Sequence, residues 1–472
     1  MTACLRRPVI LAIALLSLIE PPAFAGWKVA GVGQCDAGNL AIDSAGTTHI
    51  LCSRTFSSGS ELMYYLTYSP EGRRGPALAT RPPVPYPRDL TIMTDSHNRP
   101  HVTLIAGTGQ LVYLDFNGHG WHAQTIDPNL GISGLPALPL ILDSNDHPHI
   151  AYAGSSGVLN HAFFDGTSWQ IESTGASITP TAIQIAKDGT VHIAGLAGFG
   201  YGNSQVCEER GLKGSWTGEC FDASGPALPS LALAPDGTPE VVYEGYSSYP
   251  YATIKVAHFD GINWSTESTF DGNAFGVPFF ATAAIAIDSS GRAKVVLEGG
   301  DDNLYYVAQE GNTWELTNLG SVGILQVYEL SLRVDPIGLP HATFWTNDVI
   351  NIQLYVALTL PDLSDHWKSV VSHLKSGRTV VTGKLVVNNL GTAPTSGSTV
   401  NYYLSTDNQF DPGDKLLGSA KLAVRAGQSK VLDFTFSPVS SVSGQYLIAV
   451  TTPNNSPDEV NANSNIAAAL IQ

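Results

Sequence analysis

Short apolar runs separated by polar turns fill the chain from residue 40 to residue 345, and seven of them spell one phrase. An apolar triplet leads into an Asp-Ser-like turn ending in Gly, Asn or Asp, often followed by Pro-His and an apolar strand. Leu140–Tyr152 and Leu332–Phe344 are two examples. The anchor position falls at His49, His101, His149, His192, Glu240, Lys294 and His341, at gaps of 52, 48, 43, 48, 54 and 47 residues. Short strands repeating at that period predict a β-propeller with one four-stranded sheet per repeat, seven blades in all.

Each repeat reads strand by strand. Three residues before the anchor stand Gly46, Asn98, Asp146, Gly189, Gly237, Gly291 and Gly338, residue types that tolerate positive φ in a tight turn. The first two strands therefore form a hairpin around that turn. A third strand follows, then Gly-x-x-Trp, which opens the fourth at Trp121, Trp169, Trp264 and Trp314, with Trp216 behind a displaced Gly214. No helical periodicity competes with this pattern. The seventh repeat ends at Tyr355–Leu358 without its Trp, whereas Trp27–Ala30 precedes any complete repeat. The last blade is thus expected to take its outer strand from the N-terminal segment, a clasp that covers two sheet edges. Repeat one departs from the pattern, with a Pro- and Arg-rich stretch from Ser69 to Arg88 and no Trp.

Residues 26–360 form the predicted propeller, and residues 361–472 a second domain. The latter shows about seven strand-like runs with turn signals, the pattern of an immunoglobulin-like sandwich. Pro361-Asp362-Leu363, Leu385–Gly391, Tyr402–Asp407, Asp414–Gly418, Gly444–Leu447 and Glu459-Val460-Asn461 follow in order. In that order and spacing the segment resembles the bacterial CARDB module, a cell-adhesion-related sandwich of exported proteins. The resemblance implies an accessory domain without catalysis.

Residues 1–25 read as a signal peptide: Arg6 and Arg7, an apolar run from Val9 to Leu18, then Ala23-Phe24-Ala25 as an A-x-A cleavage site. The run is too short to span a membrane, so the expected location is secreted or cell-surface. Four further cysteines, Cys35, Cys52, Cys207 and Cys220, favour disulfides in that compartment. Cys207 and Cys220 face each other across the turn between the third and fourth strands of blade four, and Cys35 with Cys52 follows by elimination and proximity. No CxxC spacing supports a zinc site.

Charge divides the domains. The chain carries 24 Lys and Arg against 41 Asp and Glu. From Pro361 onward the count is eight of each, so the acidic excess belongs to the propeller. An acidic ring repels phosphate backbones and argues against nucleic acid, while admitting cationic partners, neutral sugars or Ca2+.

The recurring histidines and tryptophans suit packing within and between blades, since a residue repeated around a ring serves every blade alike. One local excess, His97, His101, His147 and His149, leaves a metal site open. Asymmetric features carry more functional weight. The loops after the second strands contain Phe199 and Tyr201, then Tyr246, Tyr249 and Tyr251, then Asp301 and Asp302, then Trp345. Aromatics mixed with Asp and Asn on one rim suit stacking and hydrogen bonding to a glycan or protein ligand. In the second domain Asp407, Asp411 and Asp414 gather three carboxylates within eight residues, which reads either as a Ca2+ loop or as a plain turn. Apart from that ion no cofactor is implied.

Enzyme signatures are missing. The sequence has no Gly-x-Ser-x-Gly, His-Glu-x-x-His or phosphate loop, and no catalytic residue can be named. The Asp-Gly-x-x-Trp turns lack the full form of a sialidase Asp-box. The sequence therefore favours an exported bacterial binding or adhesion protein. The alternative is a secreted glycan-active hydrolase or lyase, with paired carboxylates in the propeller mouth.

Overall fold

The computed structural model describes residues 27–471, apart from 36, 56–60, 70–73, 77, 81–82, 131–137, 199–203, 213, 224–227, 235, 247–251, 276–279, 302, 311–312, 321–326, 337, 347–351, 359–362, 392, 394, 396, 439–441 and 453–464. The chain separates into two compact units, which divide between Ala357 and Leu358 apart from the short stretch 69–73, grouped with the second. The signal-peptide segment lies outside the described residues.

Among the described residues the first unit holds seven four-stranded sheets, and each is one repeat. Blade 3 is the plainest: Leu140–Leu142, Pro148–Ala153, Leu159–Phe164 and Trp169–Ser173 pair antiparallel in sequence order. The turn before every anchor has positive φ, from 61° at Asn98 and 63° at Asp146 to 92° at Gly237. The turns hold themselves shut. Asp43, Asp95, Asp143 and Asp288 each accept two backbone N–H groups of their own turn, at 2.7–3.0 Å.

The seventh blade is shared between distant parts of the chain, as the sequence predicts. Its order is Trp27–Gln34, Ile352–Leu358, Pro340–Thr346 and Val327–Val334. Inner strands meet blade to blade around the ring, and the inner strand of blade 1, Ala37–Ile42, lies against those of blades 2 and 7. Blades 7 and 1 are stitched by Ser331 Oγ donating to Asn39 Oδ1 at 3.0 Å and by a buried Thr48 Oγ1 to His341 Nδ1 contact of 3.0 Å.

Each outer-strand tryptophan packs on the preceding blade. Trp121 meets Tyr65, Trp169 meets Tyr113, Trp216 meets His161, Trp264 stacks on Phe221 and Trp314 meets Phe270, with centroids 4.3–6.3 Å apart. These rings are the mortar between blades, not a sugar platform. Both predicted disulfides are formed, Cys35–Cys52 and Cys207–Cys220. The second joins the strands Gln205–Leu212 and Ser215–Ala223 at directly opposed positions.

The second unit is a sandwich of two antiparallel sheets. Leu363–Lys375, Arg378–Asn389 and Ser429–Phe436 form one; Lys415–Leu422, Ser398–Ser405, Tyr446–Thr452 and Ile466–Leu470 form the other. Leu385, Val387, Val400, Tyr402 and Ala449 fill its core, where Tyr402 stacks on Phe434 at 4.0 Å. Asn389, fully buried, donates to the carbonyls of Ala393 and Val424 at 2.7 and 3.1 Å. That explains an Asn inside an apolar run: a buried amide persists where its partners are fixed.

Candidate functional site

The anchor residues are absorbed by their own blades. His49 Nε2 lies 3.1 Å from the turn carboxylate of Asp43, and His341 Nε2 lies 3.4 Å from that of Asp335. His101 reaches Asp95 at 3.5 Å and the Tyr113 hydroxyl. Blade 4 has Ala186 where the turn Asp would stand, and His192 turns to Glu208 instead, at 2.8 Å. Blade 5 reverses the pair: Glu240 is the anchor and His258 Nδ1 meets it at 3.0 Å, which holds the His258 imidazole above its ordinary pKa despite partial burial. In blade 6 the anchor Lys294 lies 3.9 Å from Asp288.

Blade 3 is the exception, because His149 meets a second imidazole, with Nδ1 2.9 Å from His161 Nε2. Burial pushes His149 down to about 4, and burial together with His149 pushes His161 down to about 3. Both folded values lie below the unfolded value near 6.5, so the neutral pair stabilises the fold above that pH. The contribution is lost as pH falls through 6.5 toward 4 and then 3. We expect the His161→Gln variant to lose less melting temperature than the parent between pH 7 and pH 4. The difference corresponds to about 3 kcal/mol, and equal losses would remove this assignment.

Among the described residues the four histidines of the local excess do not converge as one ligand set. His147 faces Asp143 at 3.5 Å and the Phe164 ring, away from the partners of His101 and His149. Among the described residues one convergence of three ligand-type side chains occurs, Asp95, His97 and Asp146, with atoms within 4.8 Å of one another. Arg99 already places Nε and Nη2 each 2.6 Å from Asp95 Oδ2, and Ser96 donates its amide and hydroxyl to Asp146 at 2.9 and 2.6 Å. Asp95 thus has a counter-charge and Asp146 two hydrogen-bond donors, and the convergence ties the turns of blades 2 and 3.

Asp407, Asp411 and Asp414 are not brought together as a ligand set. Asp407 Oδ1 accepts the Gln409 amide at 2.9 Å and Asp414 Oδ2 accepts the Asp411 amide at 3.0 Å, while the Asp414 amide returns to the Asp411 carbonyl at 3.0 Å. These are the bonds of a self-capping turn.

On the propeller the rim opposite the Asp turns carries the hairpins between second and third strands and the links from blade to blade. Phe199, Tyr201, Tyr249, Tyr251 and Asp302 lie outside the described residues. Tyr246 ends the second strand of blade 5, opposite Ala252, and Trp345 lies in the second strand of blade 7, opposite Gln353. Asp301 accepts from the Tyr305 hydroxyl at 2.6 Å and from Asn303 at 2.8 Å. Burial raises its carboxyl, and these bonds outweigh that, leaving it below the usual carboxylate range.

The register makes this rim uneven. In blades 2 and 3 the anchors pair with Asp115 and Phe163, and in blade 6 Lys294 pairs with Ala308. In blades 1, 4 and 5 the partners are Thr67, Arg210 and His258, so those hairpins are four residues longer and their ladders run one or two pairs further. Blade 2 adds a feature that sequence reasoning missed. Tyr86 and Asp89 hold positive φ, 48° and 52°, on either side of Pro87 and Arg88, a costly conformation for non-glycine residues. The segment is pinned: the Tyr86 amide donates to Glu61 Oε2, and the Gly107 amide to the Pro85 carbonyl, both at 2.8 Å. The Tyr86 ring is 54 % exposed. Burial lifts the Asp89 carboxyl to about 6 although Arg88 opposes it from 3.9 Å. The only signal in the sequence is Pro-Tyr-Pro within repeat one's irregular stretch.

No family model matches the chain, and no curated protein does. Among solved structures it is similar to the lectin of Aleuria aurantia, solved with Fucα1-6GlcNAc, at 16 % identity over 57 % of this chain and 91 % of the lectin, with a TM-score of 0.41. It is similar to YCF48 bound to a D1 peptide at 14 % identity, over 72 % of this chain and 97 % of that one, TM-score 0.43. The CARDB domain of a Pyrococcus furiosus protein, crystallised with two metal ions, matches at 20 % identity over 24 % of this chain and 90 % of that domain, TM-score 0.19. Likenesses this distant leave the ligand of this chain undecided.

Proposed function

We propose that the chain is an exported binding protein of adhesion type, whose propeller recognises a glycan or protein ligand on the uneven rim and whose sandwich is an accessory module. The asymmetry between the two propeller faces carries this reading. On one face the turns repeat, with Asp in five blades and Ala186 and Ala234 in the other two, and the Asp side chains accept backbone amides of their own turns. On the other, hairpin lengths differ and an exposed tyrosine stands on strained, pinned backbone, which fits a surface built for one ligand rather than for the ring itself. Two disulfides fit an oxidising, extracellular compartment, and among the described residues no helix is long and apolar enough to cross a membrane.

The full chain should be screened on arrayed glycans and on immobilised cell-surface protein, with released product measured in parallel. Saturable retention without product supports binding as the function. Turnover of a retained glycan would replace it with the hydrolase or lyase reading.

A further inference from the structure

The first hairpin of the sandwich runs beyond the sandwich core. Leu363–Lys375 and Arg378–Asn389 pair to their tip with one register shift at Lys368, and at the tip Lys375 faces Arg378 across Ser376-Gly377 with φ of 53° and 77°. Two positive φ values make the tight turn whose twist matches the strands, so the tip is a fixed projection. What it projects is unusual for a soluble acidic protein. Leu374 is 77 % exposed and Val371 51 %. His373, Lys375 and Arg378 beside them are exposed as well. From His366 to Thr406 the sequence contains no Asp or Glu, in a chain of net charge −17. Lys384 is paired with Asp433 at 2.8 Å. Among the described residues no carboxylate pairs with Lys368, Lys375 or Arg378.

We propose that this hairpin docks on an anionic lipid surface, with Leu374 entering the headgroup layer while Lys375 and Arg378 meet lipid phosphates and Lys368 adds to the attraction. An exposed apolar residue between cations needs a partner offering negative charge and hydrocarbon together, and the interface of an anionic bilayer offers both. The acidic ring of a second copy would supply the charge only. The exposed large hydrophobics described on it, such as Ile171, Leu212 and Ile262, lie on separate blades and form no acceptor for the tip.

The test is sedimentation of the full chain with vesicles of phosphatidylcholine alone or mixed with phosphatidylglycerol, at about physiological salt. Binding to the mixed vesicles only is expected, and it should fade at high salt as screening shortens the reach of the cations. The Lys375→Glu/Arg378→Glu variant should bind at least about 30-fold more weakly, since two cations are lost and two anions added, and Leu374→Ser several-fold more weakly. An unchanged melting temperature in both variants keeps folding out of the comparison. No binding to the mixed vesicles, equal binding to both kinds, or indifference to the charge reversal would overturn the proposal. So would light scattering showing a dimer that Leu374→Ser dissolves, without any vesicle binding by the parent.

Discussion

A chain lacking residues 27–34 is expected to melt about 7 °C lower than one that retains them, in a single cooperative step. The segment supplies the fourth strand of blade 7 beside Ile352–Leu358. Its loss would strip one side of that strand of its backbone partners and leave an open edge. It would also remove Val32, which is buried against Leu40, Ile50 and Leu66. Together these changes correspond to about 4–5 kcal/mol, and in a domain of this size each kcal/mol lowers the melting temperature by about 1.5 °C. Cys35 and Cys52 both remain, so the disulfide is not the variable. Calorimetry decides the matter: an unaltered transition would show that the ring closes without the clasp.

The second large effect is expected at Glu208. This carboxylate is wholly buried. Its Oε1 lies 2.8 Å from His192 Nδ1, and its Oε2 lies 3.1 Å from Arg210 Nε in ionic contact rather than hydrogen-bond alignment. Arg210 in turn lies over the Phe259 ring of the next blade, 3.9 Å from its centroid. Removing one member of a buried ion pair costs about 3–5 kcal/mol, and the lower end applies here because Arg210 keeps Glu219 at 3.8 Å. Glu208→Ala should therefore destabilise the propeller by that amount in denaturant titration, and Glu208→Gln by less, because its amide oxygen still accepts. A loss below about 1 kcal/mol in Glu208→Ala would mean that water or a shifted side chain replaces the carboxylate.

The architecture was legible because its determinants are local and repeated. A glycine or a short polar residue at positive φ, an anchor on the second strand and a Trp on the fourth recur in register, and each marks its element without reference to distant residues. The clasp was legible for a related reason: a missing motif at one end matched a surplus one at the other. The pairing of Cys207 with Cys220 followed from the same strand assignment.

The site was less legible, and the reasons are physical. Which carboxylates are neutralised depends on three-dimensional neighbours, so the Asp95, His97 and Asp146 convergence and its Arg99 counter-charge could not be read from spacing. The Asp407–Asp414 cluster reads in sequence as either a set of hard oxygen ligands or a plain turn, and the backbone amides bonded to Asp407 and Asp414 are visible only in three dimensions. The positive φ at Tyr86 and Asp89 has no compositional signature beyond two flanking prolines, and the partners that pin the segment, Glu61 and Gly107, lie about twenty residues away on either side. Hairpin length depends on register, which a one-dimensional pattern fixes only to within a residue or two.

The proposed function rests on the difference between the two propeller faces, and a paired substitution tests that difference most directly. Tyr86→Ala alters the uneven rim and His97→Ala the repeated turn face, both at exposed side chains. With the ligand that the screen retains, Tyr86→Ala is predicted to weaken binding by about tenfold, in line with loss of an aromatic anchor, while His97→Ala leaves it unchanged. The reverse pattern, or equal binding by both variants and the parent, would contradict recognition at the rim.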